Sequence, residues 1–362
     1  MKKILFVINY IKNSGPSSVV INIINSLDKD QYDISLLTLK DKNNKDITSL
    51  LIRKNVNVVQ MNYKNNKDVV TDLKNIINEI NNLNVDIIHS HGILPDYIVS
   101  SSKIKSKKIT TIHNNMYEDY LNTYGKIKGK LMIFFHQKSL KKFDRIVCCS
   151  MTSFKSLDNK FNNLLCIRNG VNVNKIEKKS DIRNELNIPN DAIVYIYCGN
   201  ISKGKRVVEL IDLFEKNHYG NEYLIVLGDG PLYKDIIKNK TSNIKILGFK
   251  DNALDYYAIS DIYISNSSSE GFSISVIEAL GNGLLLFLSD IPAHKECFEI
   301  NDKIYIGEFF NGSNFSMKKD KITSNIKKIK KSNILDFQEK YLSCSNMSKQ
   351  YNCLYNELLN EV

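Results

Sequence analysis

The 362-residue chain has no apolar run of about 18 residues, so no membrane-spanning helix is expected. It has no Cys-x-x-Cys pair, and its seven cysteines are an odd set. They read as small core residues of a protein kept in a reducing, cytoplasmic compartment. Only five prolines occur, and 43% hydrophobic against 25% charged residues excludes a disordered chain. Gly228-Asp229-Gly230-Pro231 lacks the third glycine of a dinucleotide fingerprint, since position 233 is Tyr. A zinc pattern, an RNA-binding sheet motif and aromatic-basic interleaving are all missing, so no nucleic-acid partner is expected. Met1-Lys2-Lys3 and the apolar Ile4 to Ile8 imitate a signal peptide. Asn9, Lys12 and Asn13 cut that run short with no small-residue cleavage site, and the segment reads as a first buried strand.

What is present is a length suited to two domains and a repeated alternation of apolar runs with helical patterns. In the first half, strands are expected near 3–9, 33–39, 56–61, 85–90, 108–113 and 145–149, with helices near 17–27, 68–82 and 126–142. In the second, strands are expected near 192–198, 223–227, 244–247, 262–265 and 284–288. Helices there fall near 205–216, 231–238, 252–260 and 274–280, and a last one near 346–359. Short strands apolar on both faces belong to parallel sheets covered by helices. Both halves therefore read as doubly wound α/β domains, which bind ligands at the carboxyl ends of their strands. Asn169-Gly170 marks a turn, and the polar stretch that follows to about Asn190 reads as a linker. The net charge of +11 is unevenly spread. Residues 1–170 hold 26 Lys and Arg against 14 Asp and Glu, and the remainder 24 against 25. The first half is the one suited to an anionic partner.

The stretch from Asn266 to Gly283 concentrates the chemistry. A polar loop with three serines leads through Glu270-Gly271-Phe272-Ser273 into a helix that carries Glu278 in its second turn. Free N–H groups at a helix start attract phosphate, and carboxylates accept hydrogen bonds from sugar hydroxyls. The bland alternative is a strand–loop–helix connection with an accidental pair of glutamates. Elsewhere, His89-Ser90-His91 ends a strand, but no carboxylate or cysteine cluster accompanies it and no metal is expected.

With seven residues between Glu270 and Glu278, the stretch resembles the motif of retaining, GT-B-fold glycosyltransferases of family 4. Other pieces follow the same family in order: Thr111-Ile112-His113-Asn114, Asn169-Gly170-Val171, Gly199-Asn200 through Gly204-Lys205, Gly228-Asp229-Gly230-Pro231, and Leu247-Gly248-Phe249. The resemblance implies two Rossmann-like domains facing across a cleft. Residues 1–168 would bind the acceptor, 169–345 a nucleotide-sugar donor, and the helix near 346–362 would pack back on the first domain. It implies that Glu278 holds the donor ribose, and that Glu270 positions the transferred sugar with His113 and the backbone of Gly271, Phe272 and Ser273. Lys205 would meet the diphosphate, near Gly199, and Phe249 would lie near the base. Gly15 would serve the acceptor side. No metal and no cofactor is implied, and no Asp-x-Asp motif stands among these loops.

The chain departs from the family at two points. Asn200 stands where many relatives carry Arg, which leaves Arg206 as a candidate second cation, and Pro16 replaces the second glycine of a Gly-Gly pair after the first strand. From Lys126 to Phe143 six lysines flank Leu131, Met132, Ile133, Phe134 and Phe135. Two readings are open: a core-covering helix with a solvated basic face, or a helix resting on an anionic membrane surface at the inner face of the plasma membrane. The activity implied is transfer of a sugar from a nucleotide-sugar, of UDP type, to a glycan or lipid-linked acceptor in bacterial surface polysaccharide synthesis. A GT-B-fold nucleotide-sugar epimerase and a catalytically idle nucleotide-sugar binding partner are the alternatives.

Overall fold

The computed structural model describes residues 1–12, 14–40, 51, 55–173, 180–238, 241–300 and 304–361. Asn13 and residues 174–179 of the expected linker lie outside them. The chain divides into two compact units, residues 1–170 with 344–362, and residues 171–343.

The first unit is built on seven strands: β1 Lys2–Ile8, β2 Tyr32–Lys40, β3 Asn57–Tyr63, β4 Ile87–His91, β5 Lys107–Ile112, β6 Arg145–Cys148 and β7 Leu164–Cys166. Their order is β3-β2-β1-β4-β5-β6-β7, with every pairing parallel. Ile4, Leu5, Phe6 and Val7 are fully buried, so β1 faces helices on both sides, as a central parallel strand must. The helix Cys344–Asn360 belongs to this unit. It buries Met347, Tyr351, Leu354, Tyr355 and Leu358, and its Asn352 and Asn356 bond Tyr32 and Lys2.

The second unit has six parallel strands: β8 Ile193–Cys198, β9 Glu222–Leu227, β10 Ile244–Gly248, β11 Ile262–Ser265, β12 Leu285–Ser289 and β13 Gly307–Phe310. Their order is β10-β9-β8-β11-β12-β13. In each sheet the order reverses beside the first strand, between β1 and β4 and between β8 and β11. Ligands gather at such switch points, outside the carboxyl ends of the strands.

Several expectations are corrected. β7 and β13 were not foreseen. The single helix expected near 68–82 is two, Asn66–Thr71 and Leu73–Asn82, broken at Asp72 (φ −104°, ψ 23°). The helix expected from Lys205 starts at Val207. Lys203–Lys205 forms a 3-10 turn, and Arg206 adopts a left-handed backbone (φ 49°, ψ 42°). The stretch after Gly170 is only partly linker, because Ser180–Glu185 is helical and Ile188 is buried. The helix Lys126–Leu140 buries Gly129, Ile133, His136, Ser139 and Leu140 and leaves Ile127, Leu131, Phe134 and Phe135 more than half exposed. Its outward face is therefore apolar as well as basic. Among the described residues no helix is long and apolar enough to cross a membrane.

Candidate active site

In the second unit, the loops after β8, β9 and β11 meet at the carboxyl end of the sheet. Gly199 N–H donates to Leu227 O at 3.0 Å, and Ile201 N–H to Asp229 O at 2.9 Å. Only glycine fits at two positions of the facing loop. A Cβ on Gly228 (φ +133°) would stand 1.8 Å from Gly199 O, and one on Gly230 (φ +158°) 2.4 Å from Asn200 Oδ1. Asn200 is thus packed against the β9 loop, and its carbonyl accepts the Tyr197 hydroxyl at 2.9 Å. Ser268 N–H and Oγ–H both donate to Gly204 O, at 2.8 and 2.9 Å, and tie the β11 loop to the 3-10 turn that carries Lys205.

That tie brings together two residues 65 positions apart: Lys205 Nζ donates to Glu270 Oε1 at 2.5 Å. Ser267 Oγ donates to the same oxygen at 2.7 Å, and no hydrogen bond among the described residues uses Oε2. Burial alone would push the Glu270 pKa up. Lys205, His294 and the Ser267 hydroxyl outweigh it and hold the carboxyl below its ordinary value, so Glu270 is ionised. His294, on the helix Pro292–Glu299, is buried. Its Nδ1–H donates to Ser289 O at 2.9 Å, while Nε2 has no partner among the described residues. Neither His294 nor Ser267 was singled out from sequence. The triple serine before Glu270 was visible, but only the fold shows which serine turns inward.

Glu270 leads through the buried Gly271 and Phe272 to Ser273, whose side chain makes no cap bond to the helix Ile274–Gly281. The Ser273 side chain thus leaves the first N–H groups of that helix uncapped, and such groups attract anions. One turn in, Glu278 behaves unlike Glu270. Among the described residues no cation stands beside it, burial raises its pKa to about 7, and the Tyr257 hydroxyl at 3.5 Å opposes that only weakly. Arg206 is exposed at the start of Val207–Asn217, and Phe249 is 49% exposed just past β10.

His113 and Gly15 belong to the first unit. Gly15 opens the helix Gly15–Ser26, where Pro16 fits the first turn because no intrahelical N–H is required there. His113 follows β5, is partly exposed, and shares a 3.0 Å hydrogen bond between its Nε2 and His91 Nδ1. Burial lowers its pKa to about 4 despite the opposing charge of Asp96. His89 is a core residue, with Nδ1 on the Tyr355 hydroxyl and Nε2 on Thr111 Oγ1, both at 2.8 Å. Asp96, unnoticed in the sequence, is fully buried. It accepts from Ser90 at 2.5 Å, Thr110 at 2.8 Å and His136 Nε2 at 2.7 Å, and His136 Nδ1 meets the Tyr120 hydroxyl at 2.7 Å.

Comparison with known proteins adds the following. The family model described as "Glycosyl transferases group 1" matches residues 178–338, and that described as "Glycosyltransferase Family 4" matches residues 13–175. The chain is 28% identical to the O-antigen biosynthesis glycosyltransferase WclY of Escherichia coli, over 99% of both chains. Among solved structures, sucrose-phosphate synthase from Thermosynechococcus elongatus superposes with a TM-score of 0.84 over the whole of both chains at 14% identity. Anabaena HepE in complex with UDP and glucose superposes with a TM-score of 0.79, over 99% of this chain and 100% of that one, at 14% identity. At those identities the structural likeness is one of fold.

Proposed function

Because this chain belongs to the glycosyl transferases group 1 family and is a glycosyltransferase of GT-B fold, we propose that it moves a sugar from a UDP-sugar to an acceptor hydroxyl with retention of anomeric configuration. The second unit holds the donor. Glu278 accepts from the ribose hydroxyls. The open N–H groups of the helix Ile274–Gly281, Lys205 and the exposed Arg206 meet the diphosphate, beside Gly199 and Asn200. Phe249 lies towards the base, and Glu270 Oε2, with the Gly271 and Phe272 backbone, receives the transferred sugar. The first unit supplies His113 towards the sugar and Gly15 towards the acceptor.

The observation that carries this reading is the shared Glu270 oxygen. Ser267 holds Glu270 independently of Lys205, so Lys205 can turn to the diphosphate without releasing the carboxylate. As the sugar–phosphate bond breaks, negative charge grows on the departing phosphate, and a cation aimed there stabilises the transition state more than the ground state. The acceptor oxygen bonds to the anomeric carbon on the face the phosphate leaves, and the phosphate oxygen takes the hydroxyl proton. Protein cations and helix N–H groups carry this charge in the proposal, with no metal and no cofactor.

The E. coli relative is named for O-antigen biosynthesis, which supports a glycan or lipid-linked acceptor and a role in surface polysaccharide assembly. The exposed apolar and lysine-bearing helix Lys126–Leu140 suits a protein resting on the inner face of the plasma membrane. Lys205→Ala tests the chemical step. Turnover is expected to fall by about 100- to 1,000-fold while UDP still binds. Wild-type turnover in that variant removes Lys205 from the reaction.

A further inference from the structure

We infer that His91 fixes the tautomer of His113, so that His113 presents an N–H at Nδ1 to an oxygen atom of the bound sugar. The inference rests on the reading of His113 as the residue directed at that sugar. His91 is a positioning residue in this scheme and touches no substrate.

A chain of rings runs along the carboxyl ends of β4 and β5. His89 has both nitrogens engaged, by Tyr355 and Thr111, and Thr111 Oγ1 also meets the Tyr351 hydroxyl at 3.0 Å. His91 lies against it with ring centroids 4.3 Å apart, and Phe6 stacks nearby at 6.0 Å. These contacts set the plane of the His91 ring. Its Nδ1 faces His113 Nε2 at 3.0 Å. Its Nε2 is buried and has no partner among the described residues.

A neutral imidazole carries one N–H, so the shared bond has two forms. In one, His113 donates from Nε2. His91 must then carry its own proton on Nε2, where it is a buried N–H with no acceptor. In the other, His91 donates from Nδ1, and its Nε2 is only an unused lone pair. Orphaned buried N–H groups are rarer than under-used acceptors, which favours the second form. A charged His91 is worse again, because it would bury the same orphaned N–H together with a full charge. Burial and its two histidine neighbours hold its pKa well below the ordinary value.

With Nε2 of His113 accepting, its single proton must sit on Nδ1. No bond among the described residues uses that atom, and His113 is partly exposed. The ligand it suits is therefore an oxygen acceptor, such as a ring or hydroxyl oxygen of a sugar.

Nitrogen-15 correlation spectra of the imidazoles in the full-length protein near neutral pH test this directly. The expected result is His113 with a protonated Nδ1 and a bare Nε2, and His91 with a protonated Nδ1. A protonated Nε2 on His113 overturns the inference. His91→Asn keeps an N–H near the position of Nδ1 and should retain the His113 tautomer and near-wild-type turnover. His91→Phe removes that N–H and should lower kcat about tenfold with UDP affinity unchanged. A His91→Phe variant that keeps both the tautomer and the turnover also overturns it. If the protein fails to bind UDP at all, the function proposed above falls, and the spectra still decide the tautomer.

Discussion

The two units share one winding and use it in opposite ways. Counted from its own first strand, each sheet runs 3-2-1-4-5-6, and the first adds one strand more. In both, chemistry collects beside the switch point. In the second unit the groups there are charged and open: Lys205 is paired with an ionised Glu270, and a helix start stands uncapped. In the first, the groups are neutral imidazoles under burial and an aspartate buried beneath three donors. Open charge suits a ligand that brings phosphate. Buried neutral rings suit one that offers hydroxyl groups. The same backbone plan thus gives two chemically distinct halves, and the difference can be tested from each side.

The largest effect is expected from Asp96→Ala. It leaves the donors of Ser90, Thr110 and His136 unpaired in a dry interior, and breaking such a buried polar network costs about 3–5 kcal/mol. Urea denaturation of the full chain measures it. The matching cut in the second unit, Lys205→Ala, should cost less, because Lys205 is 29% exposed and Ser267 still donates to Glu270. Equal losses in the two variants would erase the contrast between an architectural buried charge and a ligand-directed open one.

The contrast is also one of what the sequence reveals. Local signals showed most of the second unit's site. β11 is a short apolar run, and the two glutamates with seven residues between them follow it in one continuous stretch. The charged groups around Glu270 are not local. Lys205 is 65 residues from Glu270, and His294 lies on the helix after the next strand. Asp96 and His136 are 40 apart, and no periodicity marks them as partners, since a buried aspartate in an apolar helix looks like an exposed one until the fold is known. β7 escaped because three residues are too few to show a pattern. The helix start at Val207 escaped because Arg206 adopts a left-handed backbone that sequence rules reserve for glycine and asparagine.

A smaller effect separates Glu270 from Glu278. Glu278 has a pKa of about 7, raised by burial. In the folded chain it therefore adds stability at acid pH, which is lost as pH rises through that value. Ligand binding runs the other way. If Glu278 accepts from the ribose hydroxyls as proposed, binding must remove the proton, and UDP affinity should rise with pH up to about 7 and then level off. The slope can reach about tenfold per pH unit below 7. Calorimetry from pH 5.5 to about 8 measures it, and Glu278→Gln should bind more weakly and lose the slope. A slope that survives in Glu278→Gln assigns it to another group. Glu270, already ionised beside Lys205, should contribute none over this range.

The smallest effect concerns the outward face of the first unit. Ile127, Leu131 and Phe134 recur at helical spacing with Phe135 beside them, and they are 80%, 52%, 62% and 58% exposed. Lys126, Lys128, Lys130 and Lys138 are exposed on the same helix. A helix that only covered the core would turn its whole apolar set inward, yet here Ile133 and Leu140 share the buried face with Gly129, His136 and Ser139 while this stripe faces outward. The arrangement fits a membrane interface, where each buried apolar side chain adds about 1 kcal/mol and each lysine near anionic lipid a similar amount. Phe134→Ser should lower sedimentation with anionic vesicles several-fold. It should leave thermal stability unchanged, because the ring packs outside the core. Binding to neutral vesicles should be weaker throughout. Equal sedimentation with neutral and anionic vesicles, or no change on Phe134→Ser, would leave the net positive charge of the first unit without this role.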